Sequence, residues 1–289
     1  MNPTLLAGLP TLLLAACSLT PAEVITHPPD RSEDISLGAP GGPTLRVMRV
    51  AHASVLLDFG GGVTVLTDPW FSEKVGYHHG EPLGLSIEQL PVLSAVVASH
   101  GHYDHYDLET FARYPHKDVP FFVGPQMAAA AREAGFTNVH ELAEWESSSA
   151  NGVTFTAAPA EHGVPEVTWL LQANSFTVFF SGDTLLTPAV RSIGDRFPQV
   201  DLALIAVNGL RAVGHQVVMT AEEAAQLVAL LHARVAVPTH YRFAGSWFTD
   251  TFILGYDGTP ERFVAAVAKE SPSTQTRVLE PGQWLSISR

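Results

Sequence analysis

Short apolar runs separated by Gly, Pro and polar turns dominate the chain from about residue 44 onward. Runs rich in β-branched and aromatic residues predict strands at 45–50, 54–59, 63–67, 93–99, 121–123, 153–158, 167–172, 177–180, 202–207 and 235–238. Helices are predicted at 108–114, 126–134, 189–196, 220–232 and 260–269, and two further strands close the chain.

These elements follow one order, in which strands come first and helices after, twice over. The sequence itself shows no repeat. Because each sheet and each helix must bury an apolar face, this order predicts an α/β domain over residues 44–289, with two sheets packed face to face and helices outside. The helix near 220 has a marked start, since Thr220 is an N-cap with Glu223 three residues later.

Composition excludes several classes of protein. A chain of 289 residues with 46% hydrophobic content allows one large domain or at most two small ones. The net charge of −13 repels phosphate backbones, and no Lys/Arg cluster offsets it, so we expect no nucleic-acid partner. The single cysteine, Cys17, excludes a disulfide within the chain. The sequence leaves the oligomeric state open.

The N-terminus reads as an export signal. Residues 4–16 are apolar but too few to span a bilayer, and residues 14–17 resemble the lipobox of bacterial lipoproteins. We therefore predict a signal peptide at 1–17, a lipid anchor at Cys17 in a bacterial membrane, and a flexible tether at 18–43 that is rich in Pro and Gly. Signal peptides usually begin with Lys or Arg, but neither residue precedes Cys17. A cytoplasmic location therefore stays the alternative.

The run His-Gly-His-Tyr-Asp-His at residues 100–105 has the spacing of metal ligands. Imidazole suits zinc, iron and manganese, and a carboxylate can bridge two cations. We expect His100 and His102 to bind one metal, and Asp104 and His105 to bind the other. One short loop cannot complete both coordination shells, so further ligands must come from loops after other strands. The candidates for these further ligands are His162, Asp183 and His240.

This ligand pattern resembles that of the metallo-β-lactamase superfamily over roughly residues 44–289. The resemblance implies an αββα four-layer sandwich, a third histidine at His162, a bridging Asp183 and a last histidine at His240. Segments 51–54, 67–71 and 219–224 are similar to the branch that contains ascorbate-phosphate lactonases and N-acylphosphatidylethanolamine phospholipase D. An aspartate rather than a cysteine at 183 disfavours a class B1 β-lactamase.

Asp104 is expected to act as a ligand and also to orient the nucleophile. Four further residues have two alternative interpretations each. His215 either protonates a leaving group or lies on the surface. Asp68 either orients a ligand histidine or caps a loop. His52 either supports a ligand or is an ordinary buried histidine. Arg242 either holds a phosphate or carboxylate or forms a surface salt bridge.

Together these features predict a metal-dependent hydrolase of a phosphodiester or a lactone-type ester. Two divalent metal ions, most simply Zn²⁺ with Mn²⁺ or iron as alternatives, would activate a water near neutral pH. We expect a small-molecule ester or phosphoester as the partner, and the sequence does not identify it. The alternatives are a non-enzymatic surface metal-binding lipoprotein, and a thiolester or β-lactam hydrolase on the same scaffold.

Overall fold

The computed structural model describes residues 19–26, 32–38 and 41–289. The predicted signal peptide, with Cys17, lies outside these described residues, so its processing stays a prediction. Across the described ranges, no helix combines the length and the apolar character needed to cross a membrane.

Twenty strands are present in the described residues, in chain order β1 (Thr20–Pro21), β2 (Glu33–Ser36), β3 (Thr44–Ala51), β4 (Ser54–Asp58), β5 (Thr64–Thr67), β6 (Ser72–Glu73), β7 (Ala95–Ala98), β8 (Phe121–Val123), β9 (Val139–Glu141), β10 (Ser147–Ala150), β11 (Val153–Ala158), β12 (Thr168–Ala173), β13 (Phe176–Phe180), β14 (Leu202–Ala206), β15 (Arg211–Ala212), β16 (His215–Gln216), β17 (Val235–Thr239), β18 (Leu254–Gly255), β19 (Gln275–Thr276) and β20 (Trp284–Ser288). The longer strands match the predicted apolar runs to within about two residues at most ends, as expected for assignments of this kind. Strands β19 and β20 are the two predicted closing strands, and the strands that were not predicted are β1, β2, β6, β9, β10, β15, β16 and β18.

The helices of the described chain are α1 (Leu108–Phe111), α2 (Ala128–Glu133), α3 (Pro188–Arg191), α4 (Ile193–Arg196), α5 (Ala221–Leu230), α6 (Trp247–Phe252) and α7 (Pro260–Glu270). The capping box at the start of α5 is confirmed, because Thr220 Oγ1 accepts from the Glu223 N–H and Glu223 Oε2 accepts from the Thr220 N–H. The single helix predicted at 189–196 is wrong: it is two short helices that meet at Ser192.

Two sheets form the centre of the domain. The first has the strand order β2-β20-β3-β4-β5-β7-β8-β9, and the second has the order β10-β11-β12-β13-β14-β17-β19. Their inner faces pack against each other through a buried apolar cluster that includes Val47, Phe155 and Trp169. The Trp169 indole N–H also donates to the Ala98 carbonyl in the opposite sheet.

Helices cover the outer face of each sheet. One apolar cluster joins the first sheet to α1 and α2 and includes Phe111 and Ala131. Another joins the second sheet to α5 and α7 and includes Leu227 and Phe263. The layers are therefore helix, sheet, sheet and helix, which confirms the predicted αββα sandwich.

The segment predicted as a tether differs from that expectation in part. Strand β2 pairs in parallel with β20, and Ile35 within it is 2% exposed in the cluster between the sheets. Strand β1 pairs with β6. Composition alone did not reveal this, because β2 is a four-residue edge strand with only one buried side chain.

Candidate metal centre

The seven predicted ligands lie together at the ends of strands that belong to both sheets. His100 follows β7, Asp183 follows β13 and His240 follows β17. Strands β13, β14 and β17 are parallel, and so are β5 and β7, so their carboxyl ends open toward the same side of each sheet. The loop that follows β11 contributes His162, and the 100–105 turn contributes the remaining ligands.

Three imidazoles form a first group. His100 Nε2 lies 2.9 Å from His102 Nδ1, and His162 Nε2 lies 3.1 Å from the same atom. All three ring nitrogens point at one another across a small volume, which is the arrangement of ligands around a shared cation rather than that of neutral hydrogen-bonding side chains.

A second group lies beside the first and contains the predicted ligands Asp104, His105 and His240, with a ring nitrogen of His52 also within 4.8 Å of their ligand atoms. Asp183 Oδ2 lies between the two groups, 2.8 Å from His240 Nε2, 3.3 Å from His105 Nε2 and 3.8 Å from His162 Nε2. Asp104 Oδ2 is 3.7 Å from His105 Nε2 and 3.8 Å from His240 Nε2. One carboxylate therefore reaches both groups, as the sequence predicts for Asp183.

These separations fit metal coordination. Two ligand atoms at 2.0–2.1 Å from a tetrahedral zinc ion are about 3.3 Å apart. The measured separations of 2.8–3.8 Å bracket that value. Within the described chain, His105 Nε2, His240 Nε2 and Asp183 Oδ1 are buried without a hydrogen-bond partner, which is costly unless a cation satisfies them.

The charges of these side chains also suit a cation. Burial, and after it the neighbouring His100, lower the pKa of His102 to about 4, and burial lowers the pKa of His100 well below its ordinary value. Burial alone would raise the pKa of Asp183, but His105 and His240 outweigh it and lower that pKa. Neutral His100 and His102 and an ionised Asp183 are in the protonation states that bind metals. Asp183 and Asp104 instead raise the pKa of His105 well above its ordinary value despite burial, so this ring must release a proton when a metal binds.

Asp68 orients the second group. The distance from Asp68 Oδ2 to His105 Nδ1 is 2.6 Å, and Ser99 donates to the same carboxylate through its N–H and its hydroxyl. This contact fixes the ring so that Nε2 faces the other ligands. Of the two interpretations of Asp68, the structure supports ligand orientation.

Glu166 plays the corresponding part near the first group and was not predicted from the sequence. Its Oε1 accepts from the Asp183 N–H at 2.7 Å and lies 3.2 Å from His100 Nδ1. Gly182 makes this close approach possible, since a side chain there would lie 2.8 Å from Ser99 Cβ and its φ is +54°. A lone glutamate 17 residues from Asp183 carries no spacing signal.

His52 is the other residue whose place the sequence did not settle. It is fully buried, its ring centroid lies 3.9 Å from that of His240, and its Nε2 lies 3.3 Å from Asp104 Oδ2. Burial, with His240 next, lowers its pKa to about 3, so the ring is neutral at physiological pH. The side chain therefore packs directly against the second group instead of away from it.

The ligands open into a cavity of about 460 Å³. Its polar lining, which we call the floor, consists of His102, Asp104, His162 and Asp183. The remaining lining, which we call the wall, consists of Val75, Gly76, Tyr77, Leu210, Ala212, Val217, Phe243, Thr249 and Leu254. A larger and more open depression beside α4 and α5, lined in part by Arg191 and His232, contains none of the ligands, so the chemistry belongs to the smaller cavity.

Two predicted functional residues lie elsewhere. His215 is exposed in the hairpin of β15 and β16 and is absent from the lining of the cavity, so the structure gives no support for its role as a proton donor. Arg242 is exposed and lines a different pocket with Glu81 and Glu280. For both residues the observed exposure agrees with the surface alternative that the sequence left open.

Comparison with known proteins agrees with this geometry. The family profile described as a beta-lactamase superfamily domain matches residues 63–241, more than half of the chain. A metal-dependent hydrolase from Anaeromyxobacter sp. is 28% identical over 250 residues, which cover 80% of this chain and 83% of the relative.

Solved structures share the fold. The metallo hydrolase Igni18 from Ignicoccus hospitalis superposes with a TM-score of 0.63 at 23% identity, covering 85% of this chain and 99% of its own. An isothiocyanate hydrolase from Delia radicum gut bacteria superposes with a TM-score of 0.67 at 18% identity, covering 84% and 100%. The chain belongs to the metallo-β-lactamase superfamily and is a metal-dependent hydrolase with a buried His/Asp cluster able to bind metal.

Proposed function

We propose that this chain hydrolyses an ester, either a phosphodiester or a lactone-type ester, with two divalent metal ions, most simply Zn²⁺. The observation that carries the proposal is the convergence of two ligand groups on the shared carboxylate of Asp183 at an open cavity. Two ions bound in this way lower the pKa of a water to near neutrality and stabilise charge that develops on the attacked centre.

The side chains have distinct parts in this proposal. His100, His102 and His162 would hold one ion, Asp104, His105 and His240 the other, and Asp183 both. Asp68 and Glu166 hold ligand rings and the Asp183 loop in place. Asp104 and Asp183 form part of the cavity surface, so they can also orient a nucleophile toward a bound substrate.

The loop from His100 to Asp107 is held firmly for this task. The Asp107 carboxylate accepts from the Phe71 and Ser72 N–H groups and caps α1 through the Thr110 N–H. The turn itself is closed by the N–H groups of His105 and Tyr106, which donate to the His102 carbonyl. Ligands fixed in this way need little reorganisation when a cation binds.

The test is a panel of small substrates with metal-loaded protein: bis(4-nitrophenyl) phosphate, a γ-lactone, 4-nitrophenyl acetate, a thiolester and a chromogenic cephalosporin. We expect turnover of the phosphodiester, the lactone or the simple ester, and its loss in His102→Ala and Asp183→Ala. His116→Ala, an exposed histidine away from the cavity, is the matched control. Turnover that survives both ligand substitutions, or turnover of only the thiolester or the cephalosporin, would contradict the proposal.

We also propose export and lipid attachment at Cys17, supported by residues 4–17 alone. Metabolic labelling with a radioactive fatty acid tests it. We expect label on the wild-type chain and none on Cys17→Ala. Absence of label from the wild type, or equal label on both chains, would refute the anchor.

A further inference from the structure

The wall of the cavity is apolar, and the cationic side chains next to it in sequence make their contacts elsewhere. Among the described residues that line it, none is Lys or Arg, although Lys74, Arg211 and Arg242 are sequence neighbours of lining residues. Lys74 Nζ lies 3.4 Å from the centre of the Tyr103 ring and 3.6 Å from Glu109. Arg211 donates to the Gly214 carbonyl, and Arg242 lines another pocket.

The floor adds negative charge and no positive charge from the protein. Asp104 and Asp183 contribute two carboxylates to the floor, and neither Lys nor Arg is among the described residues that line the cavity. A substrate anion could be balanced at the ions alone. Any second charge farther along the substrate would face the apolar wall without a partner, which costs free energy in proportion to its burial.

The apolar surface of the wall contains two packed aromatic rings and continues to the rim of the cavity. The Phe243 ring meets the Tyr77 ring edge to face at 5.7 Å between centroids, and both line the cavity. At the rim of the cavity, Val75 of the wall is 81% exposed, and Trp247, on the same short helix as Thr249, is 77% exposed. Apolar side chains that line a cavity and continue to its rim mark a binding surface for an apolar group.

We propose that the substrate is a neutral carboxylic ester or lactone carrying an apolar chain, which lies along the wall while the carbonyl meets the floor. This inference rests on the proposed ester hydrolysis. The absence of Lys and Arg from the described lining favours the carboxylic ester over the phosphodiester, whose charge would have no partner but the ions. Water adds to the carbonyl carbon, the bond from that carbon to the ester oxygen breaks, and the leaving oxygen takes a proton, so acid and alcohol are the products. For a lactone both groups stay on one molecule.

Chain length is the quantity that tests the inference. The 4-nitrophenyl esters of acetate, butyrate, hexanoate and octanoate differ only in methylene number. We expect kcat/KM to rise roughly two- to fourfold per methylene, the upper value corresponding to about 0.8 kcal/mol for a fully buried methylene. A flat or falling series with the wild-type protein would overturn the inference.

Two variants and one control localise the effect. Leu254→Asp places a charge on the half-buried part of the wall, and Val75→Asp places one at its exposed rim. We expect the first to flatten the series and the second to lower its slope by less. Val75 is so exposed that its substitution leaves folding intact, which circular dichroism checks. Val92→Ser, at an exposed valine away from the cavity, should keep the wild-type slope. Unchanged slopes in both Asp variants would contradict a chain along this wall.

A binding measurement separates this inference from the hydrolytic proposal. Calorimetric titration with butyrate, hexanoate and octanoate reports affinity without turnover. Affinity that rises with chain length but no hydrolysis of any ester would refute ester hydrolysis and support the apolar subsite. Ester hydrolysis with no length dependence in rate or affinity would support the hydrolysis and refute the subsite.

Discussion

The floor and the wall of the cavity are built in different ways. The floor and the ligands behind it come from the ends of long buried strands and one tightly bonded turn, and every carboxylate and ring there is buried or nearly so. The wall comes from two-residue strands, the short helix α6 and loops, and most of its side chains are partly exposed. Long buried strands therefore hold the candidate ligands, whereas short and partly exposed elements form the surface on which we propose that the substrate is selected.

The largest expected effect is on metal content, and it distinguishes the two ligand groups from each other. His162→Ala should remove about one metal equivalent from the first group, and His240→Ala about one from the second, because each loses an essential ligand. Both should lower kcat by roughly 10³-fold or more, since two-metal chemistry needs both ions. Elemental analysis and steady-state kinetics measure this.

His116→Ala, whose ring is exposed and outside the cavity lining, should keep full metal content and rate. Full metal content in both His162→Ala and His240→Ala would contradict the assignment of these histidines to two metal-binding groups.

The next effect tests how the floor is held. Asp68→Asn removes the charge beside His105 Nδ1, and we expect a 10- to 100-fold loss of metal affinity at the second group. Competition with a chromogenic chelator measures the affinity. Asp58 is a partly exposed carboxylate that accepts from the Gly60 N–H and lies 3.8 Å from Arg46, so Asp58→Asn keeps an acceptor there and should leave the metal affinity unchanged. Equal metal affinities for the wild type and Asp68→Asn would contradict the role of Asp68 in orienting His105.

A smaller effect is expected at Glu166. Glu166→Gln keeps an acceptor for the Asp183 N–H but loses the charge near His100 Nδ1. We expect about a tenfold loss of affinity, confined to the first group. Cobalt substitution reports it through the absorption of each site, and Glu144→Gln at an exposed position is the control. A loss of affinity at the second group alone would contradict the assignment of Glu166.

The smallest effect concerns the loop that carries Val75 and Tyr77 in the wall. Hydrogen bonds from His79 lower the pKa of Glu73 from 4.5 to about 2. Because this pKa is depressed in the folded state, the interaction stabilises the loop above about pH 4.5, and the stabilisation is lost as the pH falls through about 2. The protection factors of the amides of residues 74–79, which are exchange rates corrected for the intrinsic effect of pH, should therefore fall in acid, and Glu73→Gln should remove that fall. An unchanged fall in Glu73→Gln would assign it to another group.

Sequence reasoning predicted the floor because its ligands are chemically distinctive and follow apolar strands. His100, Asp183 and His240 each end a run that is easy to recognise, and the capping box at Thr220 places α5. The same reasoning could not predict the role of Glu166, because its contact with Asp183 exists only after two strands pair.

The wall was not predicted for a different physical reason. Strands β15, β16 and β18 have two residues each, too few for an alternating pattern, and α6 buries no side chain, so it has no apolar periodicity. His215 was assigned to catalysis from its place after β14, but only the folded hairpin shows that it is exposed. Partly exposed loop residues leave little pattern in a single sequence.

Calorimetric titration of the metal-free protein with Zn²⁺ tests the central claim most directly. Two ligand groups that share Asp183 predict two equivalents per chain in the wild type and a loss of both high-affinity steps in Asp183→Ala. Asp195→Ala, an exposed carboxylate on α4, should bind two equivalents like the wild type. Fewer than two equivalents in the wild type, or two unaltered steps in Asp183→Ala, would contradict the two-metal centre.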